Sequence, residues 1–142
     1  MSKSFLLKII AVLWIVWGLV HAFAGIITIY SDTPASLQGI LDGVEPALLE
    51  MAYHPSVNAV INQHGWNLLW FGVVTTVGAF FIWRDNDTAL WVTALVGGLA
   101  DIGYFLYLDL GGFVNFVPGT VMTIISASAI VLSVFVYLKH RT

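Results

Sequence analysis

The chain contains no cysteine, so neither a disulfide framework nor a thiolate metal site is available to it. Charged residues are also scarce: they make up 9% of the chain, and only five are Lys or Arg. A net charge of −3 with so few basic residues argues against nucleic acid as a partner. Hydrophobic residues make up 59% of the 142 positions. In soluble domains hydrophobic residues average about 45–50%. The composition therefore predicts a membrane protein, with the lipid bilayer as a partner.

Four apolar segments are long enough to cross a bilayer, at about residues 6–30, 57–83, 88–109 and 118–138. A bilayer core needs about 20 apolar residues in a helix, which satisfies its own backbone polar groups. We therefore expect an all-α membrane protein, a four-transmembrane-helix bundle that forms one domain over residues 1–142. The first segment exceeds the about 7–15 apolar residues of a signal peptide, so we expect it to be retained as a span.

Charge is segregated along these segments in a way that predicts their orientation. If the chain crosses a membrane four times, its basic residues fall on one side and five acidic residues fall on the other. Basic residues favour the cytoplasmic side, so both termini of this multi-pass protein are expected to be cytoplasmic. The basic residues are Lys3, Lys8, Arg84, Lys139 and Arg141, and the acidic ones are Asp32, Asp42, Glu45, Glu50 and Asp109.

The loop between the first two spans, about residues 31–56, is too long to lack structure in a compact protein, and about residues 34–55 of it are expected to form a helical cap. Thr33 followed by Pro34 fits a helix N-cap and a proline in the first turn. Pro46 would then begin a second short helix that reaches about Tyr53. We expect this amphipathic pair to form a cap that lies on the outer interface or closes over the bundle as a lid.

Three ionisable side chains interrupt the apolar spans: His21 in the first, His64 in the second and Asp101 in the third. Such groups cost about 2.5–3.5 kcal/mol each to place in lipid, so a chain with few charges is expected to use them. Counting at 1.5 Å per residue places all three about 10–13 Å below the outer surface. They are predicted to face one interior space in the outer half of the bundle.

Other polar and aromatic residues share the helix faces of these three. Small residues also lie on these faces, and small residues allow membrane helices to approach closely. The polar faces are therefore the expected packing faces, which puts the candidate site inside the bundle. Its predicted ligand-binding residues, besides His21, His64 and Asp101, are Trp17, Asn67, Tyr104, Thr123 and Ser126.

The chemistry of this layer leaves several functions open. A small, partly apolar ligand would bind with its polar end on the His and Asp side chains. His21, His64 and Asp101 would also suit a divalent metal or non-haem iron, and the two His alone a haem. A quinone-dependent redox protein or enzyme is a further alternative. So is a structural or accessory subunit in which the layer only holds helices together; whether the chain forms a homo-oligomer is left open.

Two short patterns resemble a known group of proteins. Gly18-Leu-Val-His21-Ala-Phe-Ala-Gly25 is similar to the first helix of small, uncharacterised bacterial four-helix membrane proteins, which are loosely DoxX-like. Gly112-Phe113 followed by Pro118-Gly119 resembles the start of their fourth helix. The resemblance implies a bundle in the bacterial cytoplasmic (inner) membrane. It implies no established activity and no cofactor.

Overall fold

The computed structural model describes residues 2–140 of the chain. Within this range every regular element is helical, and five α-helices account for most of it. A π-helical turn, Phe105–Asp109, extends the fourth helix, and another, Phe116–Thr120, precedes the fifth. The five helices are α1 (Lys3–Tyr30), α2 (Thr33–Ile40), α3 (Pro55–Trp83), α4 (Asp87–Tyr104) and α5 (Val121–His140).

Four helical segments of the described chain are long and apolar enough to cross a membrane: Lys3–Tyr30, Pro55–Trp83, Asp87–Asp109 and Phe116–Lys139. Each coincides with a predicted span to within three residues at either end. The prediction of an all-helical chain with four long apolar helices is therefore confirmed. Their length and composition fit a multi-pass membrane protein.

The four long helices pack as a ring in which α1 contacts α3 and α5, and α4 contacts the same two helices. The closest approach is between α1 and α3. A Cβ atom added at Gly65 would lie 3.0 Å from the Gly25 carbonyl oxygen, and one added at Gly72 would lie 2.8 Å from the Ala22 Cα. Only residues without side chains allow backbones this close. We call this contact the α1–α3 seam; its glycines are Gly18, Gly25, Gly65 and Gly72.

One end of the ring, which we call the basic end, joins the start of α1 to the turn between α3 and α4. Lys3 Nζ lies 2.6 Å from Asp85 and 3.7 Å from Asp87, and Lys8 Nζ lies 5.5 Å from the centre of the Trp83 ring. Lys3 and Lys8 therefore share an end with the α3–α4 turn, which contains Arg84, as the predicted segregation of basic residues requires. Arg141, the fifth basic residue of that prediction, lies outside the described residues.

The opposite end, which we call the capped end, carries α2. Ser36 Oγ donates to the Thr28 carbonyl oxygen at 2.9 Å, and Asn58 Nδ2 donates to Thr33 Oγ1 at 3.1 Å. Asp42, just after α2, accepts a 2.8 Å hydrogen bond from the Asn115 backbone N–H in the loop between α4 and α5. These bonds tie the cap to α1, to α3 and to the loop between α4 and α5.

Part of the predicted cap is wrong. The helix expected from Pro46 to Tyr53 is only the 3-10 turn Pro46–Leu48. Its apolar residues do not pack against the rest of the protein, since Leu48 is 72% exposed. So short a helix is not stable without packing. The N-cap of α2 is Asp32 rather than Thr33, because Asp32 accepts from the Ala35 N–H while the Thr33 hydroxyl is used by Asn58.

Candidate functional site

Two adjoining cavities lie toward the capped end. The first, of about 230 Å³, is bounded by α1, α2, α3, α4 and the start of α5, and we call it the α2 cavity. The second, of about 330 Å³, is bounded chiefly by α3 and α4, and we call it the α3–α4 cavity. Five residues line both cavities, so the two share a wall. These are His21, His64, Leu68, Asp101 and Tyr104.

The shared wall brings together the three ionisable residues that the sequence places at one depth. His21 comes from α1, His64 from α3 and Asp101 from α4, and each faces both cavities. Tyr104, one helical turn after Asp101, joins them. Four polar side chains from three helices therefore converge within walls that are otherwise mostly apolar.

His21 is held in one orientation by the residue one turn before it. Its ring stacks on the Trp17 indole with centres 3.7 Å apart and planes inclined by 20°. Its Nδ1 lies 2.8 Å from the Trp17 carbonyl oxygen. A carbonyl oxygen only accepts, so Nδ1 must carry the hydrogen and donate. In the neutral ring Nε2 is then the acceptor nitrogen left for another partner.

Asp101 is 4% exposed, and its hydrogen-bond partner lies on the next helix. Ser126 Oγ, on α5, forms a hydrogen bond with Asp101 Oδ2. The same hydroxyl lies 3.1 Å from the Thr123 carbonyl oxygen. The indole N–H of Trp17 also approaches the Asp101 carboxyl, without reaching hydrogen-bond geometry. The carboxyl thus links α4 to α5 and leaves Oδ1 for a further contact.

The side chains of His64 and Tyr104 are less constrained by contacts than those of His21 and Asp101. Among the described residues the His64 ring has no hydrogen-bond partner, so both of its nitrogens are available to the cavities. The Tyr104 hydroxyl lies close to the backbone of Gly119, where a Cβ atom would collide with it. Glycine at position 119 therefore makes room for the phenol at the base of α5.

Four of the eight predicted site residues line neither cavity. Asn67 Oδ1 accepts a 3.2 Å hydrogen bond from Trp70 Nε1 on the exposed side of α3. It follows His64 by three residues, which turns it about 60° away from the His64 direction. Thr123 contributes its carbonyl oxygen to Ser126, while its buried hydroxyl has no partner among residues 2–140. Trp17 and Ser126 also do not line the cavities, but they touch His21 and Asp101.

The metal-ligand set considered from the sequence is not formed by His21, His64 and Asp101. In the described part of the chain, no three His, Asp or Glu side chains are close enough together to hold one ion. Residues that line one cavity need not be close enough to share an ion. Metal ligands, in contrast, must all place an atom within about 2.0–2.2 Å of the same metal. The three side chains therefore surround a space rather than a point.

Several lining residues carry no chemical signal in the sequence. The α2 cavity is closed by the cap and by the start of α5, through small or apolar residues and one carboxylate. The amphipathic pattern of α2 indicated that it would either lie on an interface or act as a lid, and it lies over the cavity. The lining residues that were not among the predicted site residues include Ala35, Ser36, Gly39, Asp42, Pro118 and Met122.

We expect Ser126→Ala to destabilise the bundle by about 1–2 kcal/mol, because it leaves the buried Asp101 carboxyl without its hydroxyl partner. Ser133→Ala is the matched control: Ser133 lies two turns later in α5, is also fully buried and bonds only the Ala129 carbonyl oxygen of its own helix, at 2.7 Å. Unfolding in mixed micelles would compare the two. Equal losses from both variants would contradict a stabilising link between α4 and α5.

The chain was compared with known proteins at three levels. The resemblance of its first and fourth spans to the DoxX-type families is carried by short patterns only, so it stays a prediction. A function must therefore be argued from the geometry of the two cavities. No family model, no curated protein and no solved structure matches the chain.

Proposed function

We propose that this chain is a membrane protein that binds a small, partly apolar ligand between its helices. The observation that carries the proposal is the shared wall of two cavities, where His21, His64, Asp101 and Tyr104 converge. Ligand sites are typically concave and mostly apolar, with a few polar groups that fix orientation. The cavities match this description in shape and in chemistry.

The combined site has room for more than a solvent molecule. Its two parts measure about 230 Å³ and about 330 Å³, close to the lower end of the about 300–1,000 Å³ of typical small-molecule pockets. The polar side chains lie where the two parts meet. We therefore propose that the ligand places its polar group at the shared wall and its apolar part in one or both cavities.

The proposed orientation puts the site in the outer half of a bacterial cytoplasmic membrane. The basic end carries Lys3, Lys8 and Arg84, and basic residues favour the cytoplasm. The capped end would then face outward, with α2 over the α2 cavity. A ligand would reach the site from the outer surface beside the cap or from the outer leaflet of the bilayer.

This orientation predicts the labelling of two single-cysteine variants. The chain has no cysteine of its own, so the introduced cysteine is the only thiol that can be labelled. Glu50→Cys is at the capped end and Thr88→Cys is at the start of α4 near the basic end, and both positions are exposed. A membrane-impermeant thiol reagent added to intact cells should label Cys at 50 and not at 88. After lysis both should label. Labelling of 88 alone in intact cells would reverse the proposed orientation.

Leu68→Trp is expected to expel the ligand, because Leu68 lines both cavities and the larger indole would fill the space beside His64. Val73→Trp on the same helix is the control, since Val73 is 48% exposed and points away from the core. Native mass spectrometry of the proteins released from membrane discs should find an added mass on the wild type and on Val73→Trp. That mass should be absent from Leu68→Trp.

A structural role is the second candidate, because Asp101 and Ser126 join two helices whether or not a ligand is present. If all three proteins of the mass-spectrometry experiment carry the same mass or none, the ligand proposal fails. The polar layer would then be a set of interhelical contacts. Its replacement would change stability alone.

A further inference from the structure

The two cavities differ from a purely apolar pocket because acidic residues line them. Their lining residues, all of which lie within the described chain, include two carboxyl groups, Asp42 and Asp101, and no Lys or Arg. A ligand with a carboxylate or phosphate head group would meet like charge here and find no cation to pair with. The lining therefore selects against anions.

The shared wall presents two hydrogen-bond acceptors, on the ionisable groups of His21 and Asp101, while His64 and Tyr104 can each donate as well as accept. Because His21 Nδ1 donates to the Trp17 carbonyl oxygen, the neutral ring presents Nε2 as an acceptor. Ser126 occupies Asp101 Oδ2, and Oδ1 is left as an acceptor beside it. A ligand that only accepts hydrogen bonds, such as a ketone or a quinone, would not satisfy these atoms. A ligand with N–H or O–H groups would.

Asp101 also lacks a counter-charge from the protein. Within residues 2–140 the ion pairs are those that Lys3 makes with Asp85 and Asp87, at the opposite end of the bundle. A buried carboxylate without a cation is unfavourable, whereas a ligand cation with hydrogen-bond donors supplies both the charge and the bonds that it needs. The shared wall thus complements one type of head group best.

We propose that the ligand is an amphiphilic amine: a compact apolar body with one protonated nitrogen that carries at least two N–H bonds. The ammonium group donates to Asp101 Oδ1 and to His21 Nε2, and the apolar body lies beside Leu68 and Phe71 in the α3–α4 cavity or beneath α2. This inference rests on the proposed ligand-binding function and specifies the head group that the same site selects.

Three probes with one apolar cage and different head groups test the inference: 1-adamantylamine, 1-adamantanol and 1-adamantanecarboxylate. Binding to the wild-type protein in phosphatidylcholine discs is measured by calorimetry at neutral pH, with empty discs subtracted to remove partitioning into lipid. The amine should bind about tenfold or more tightly than the alcohol, as a charge-assisted hydrogen bond predicts. The carboxylate should bind most weakly.

Asp101→Asn keeps the shape of the side chain and an acceptor for Ser126 but removes the charge. In this variant the affinity for the amine should fall about tenfold or more while that for the alcohol changes little. Asp109→Asn is the matched control, because Asp109 lies two turns further along the same segment and lines neither cavity. It should leave the preference for the amine unchanged.

Several outcomes would overturn the inference. If the alcohol binds as tightly as the amine, or the carboxylate binds most tightly, the site does not select ammonium, although ligand binding itself would stand. If none of the probes binds, the amine inference falls, and the Leu68→Trp comparison judges the ligand-binding proposal separately. If Asp101→Asn does not fold, the comparison of the probes on the wild-type protein decides alone. A preference retained in Asp101→Asn would also overturn it.

Discussion

Gly72→Ala should destabilise the bundle by about 1–3 kcal/mol, although alanine is the better helix former by about 1 kcal/mol. The added Cβ atom would collide with the Gly18 carbonyl oxygen and with the backbone of Ala22, and would lie 2.8 Å from the Ala22 Cα. A backbone cannot rotate away as a flexible side chain can. The α1–α3 seam would have to open, and reversible unfolding in mixed micelles would measure the loss.

Gly103→Ala provides the control for this prediction, since it makes the same chemical change in another long helix, α4. A Cβ atom at Gly103 meets no other atom within 4 Å. The control should therefore be neutral or more stable than the wild type by up to about 1 kcal/mol, from helix propensity alone. If Gly72→Ala were as stable as Gly103→Ala, close approach of α1 and α3 would not be what holds this side of the ring together.

The long helices could be predicted from sequence because their signals are long and redundant. About 20 or more apolar residues in a row leave few alternatives to a helix. The residue that caps each helix has a shorter signal. His54 caps α3 by accepting from the Ser56 N–H, and several residues beside each helix start are able to cap it. Which of them does so depends on contacts from elsewhere, such as the one that Asn58 makes with Thr33.

The cap shows where local patterns are insufficient. The segments beginning at Pro34 and at Pro46 both carry a helix-start signal, yet only the first forms a full α-helix. α2 buries Ser36 and bonds it to Thr28, whereas Leu48 and Met51 remain exposed. Tertiary contacts decide between two similar starts, and those contacts cannot be read from the segments themselves.

The polar part of the candidate site could be located from sequence, while its apolar part could not. His21, His64 and Asp101 are ionisable residues within long apolar segments, so they are recognisable in the sequence. Counting residues from the ends of the spans places them at one depth in the bundle. Asn67 is equally polar, but its Oδ1 accepts from Trp70 Nε1 on the exposed side of α3, and the sequence alone does not distinguish it from Tyr104, which lies at the same spacing from Asp101 and lines both cavities. Gly39 lines the α2 cavity because α2 folds back over it, and Met122 lines the same cavity from α5.

Trp17→Ala is expected to cause the largest loss of stability of any substitution proposed for the site, about 3–5 kcal/mol. Trp17 is fully buried and lies edge-on to Trp14, with ring centres 5.8 Å apart. Lipid cannot fill a void inside the ring of helices, so the contacts of the indole would be lost outright. Trp66→Ala removes an indole that is 59% exposed on α3 and should cost far less. Unfolding of both variants would be measured under the same conditions.

Trp17→Phe separates the packing of this residue from its effect on His21. A phenyl ring retains a face for the imidazole, and the Trp17 carbonyl oxygen that accepts from His21 Nδ1 belongs to the backbone and stays in place. It also removes a buried indole N–H that has no partner among the described residues. Trp17→Phe should therefore keep most of the stability that Trp17→Ala loses, and it should keep the ligand mass seen on the wild type. A ligand lost from Trp17→Phe at near-normal stability would instead mean that the indole N–H beside Asp101 belongs to the binding site.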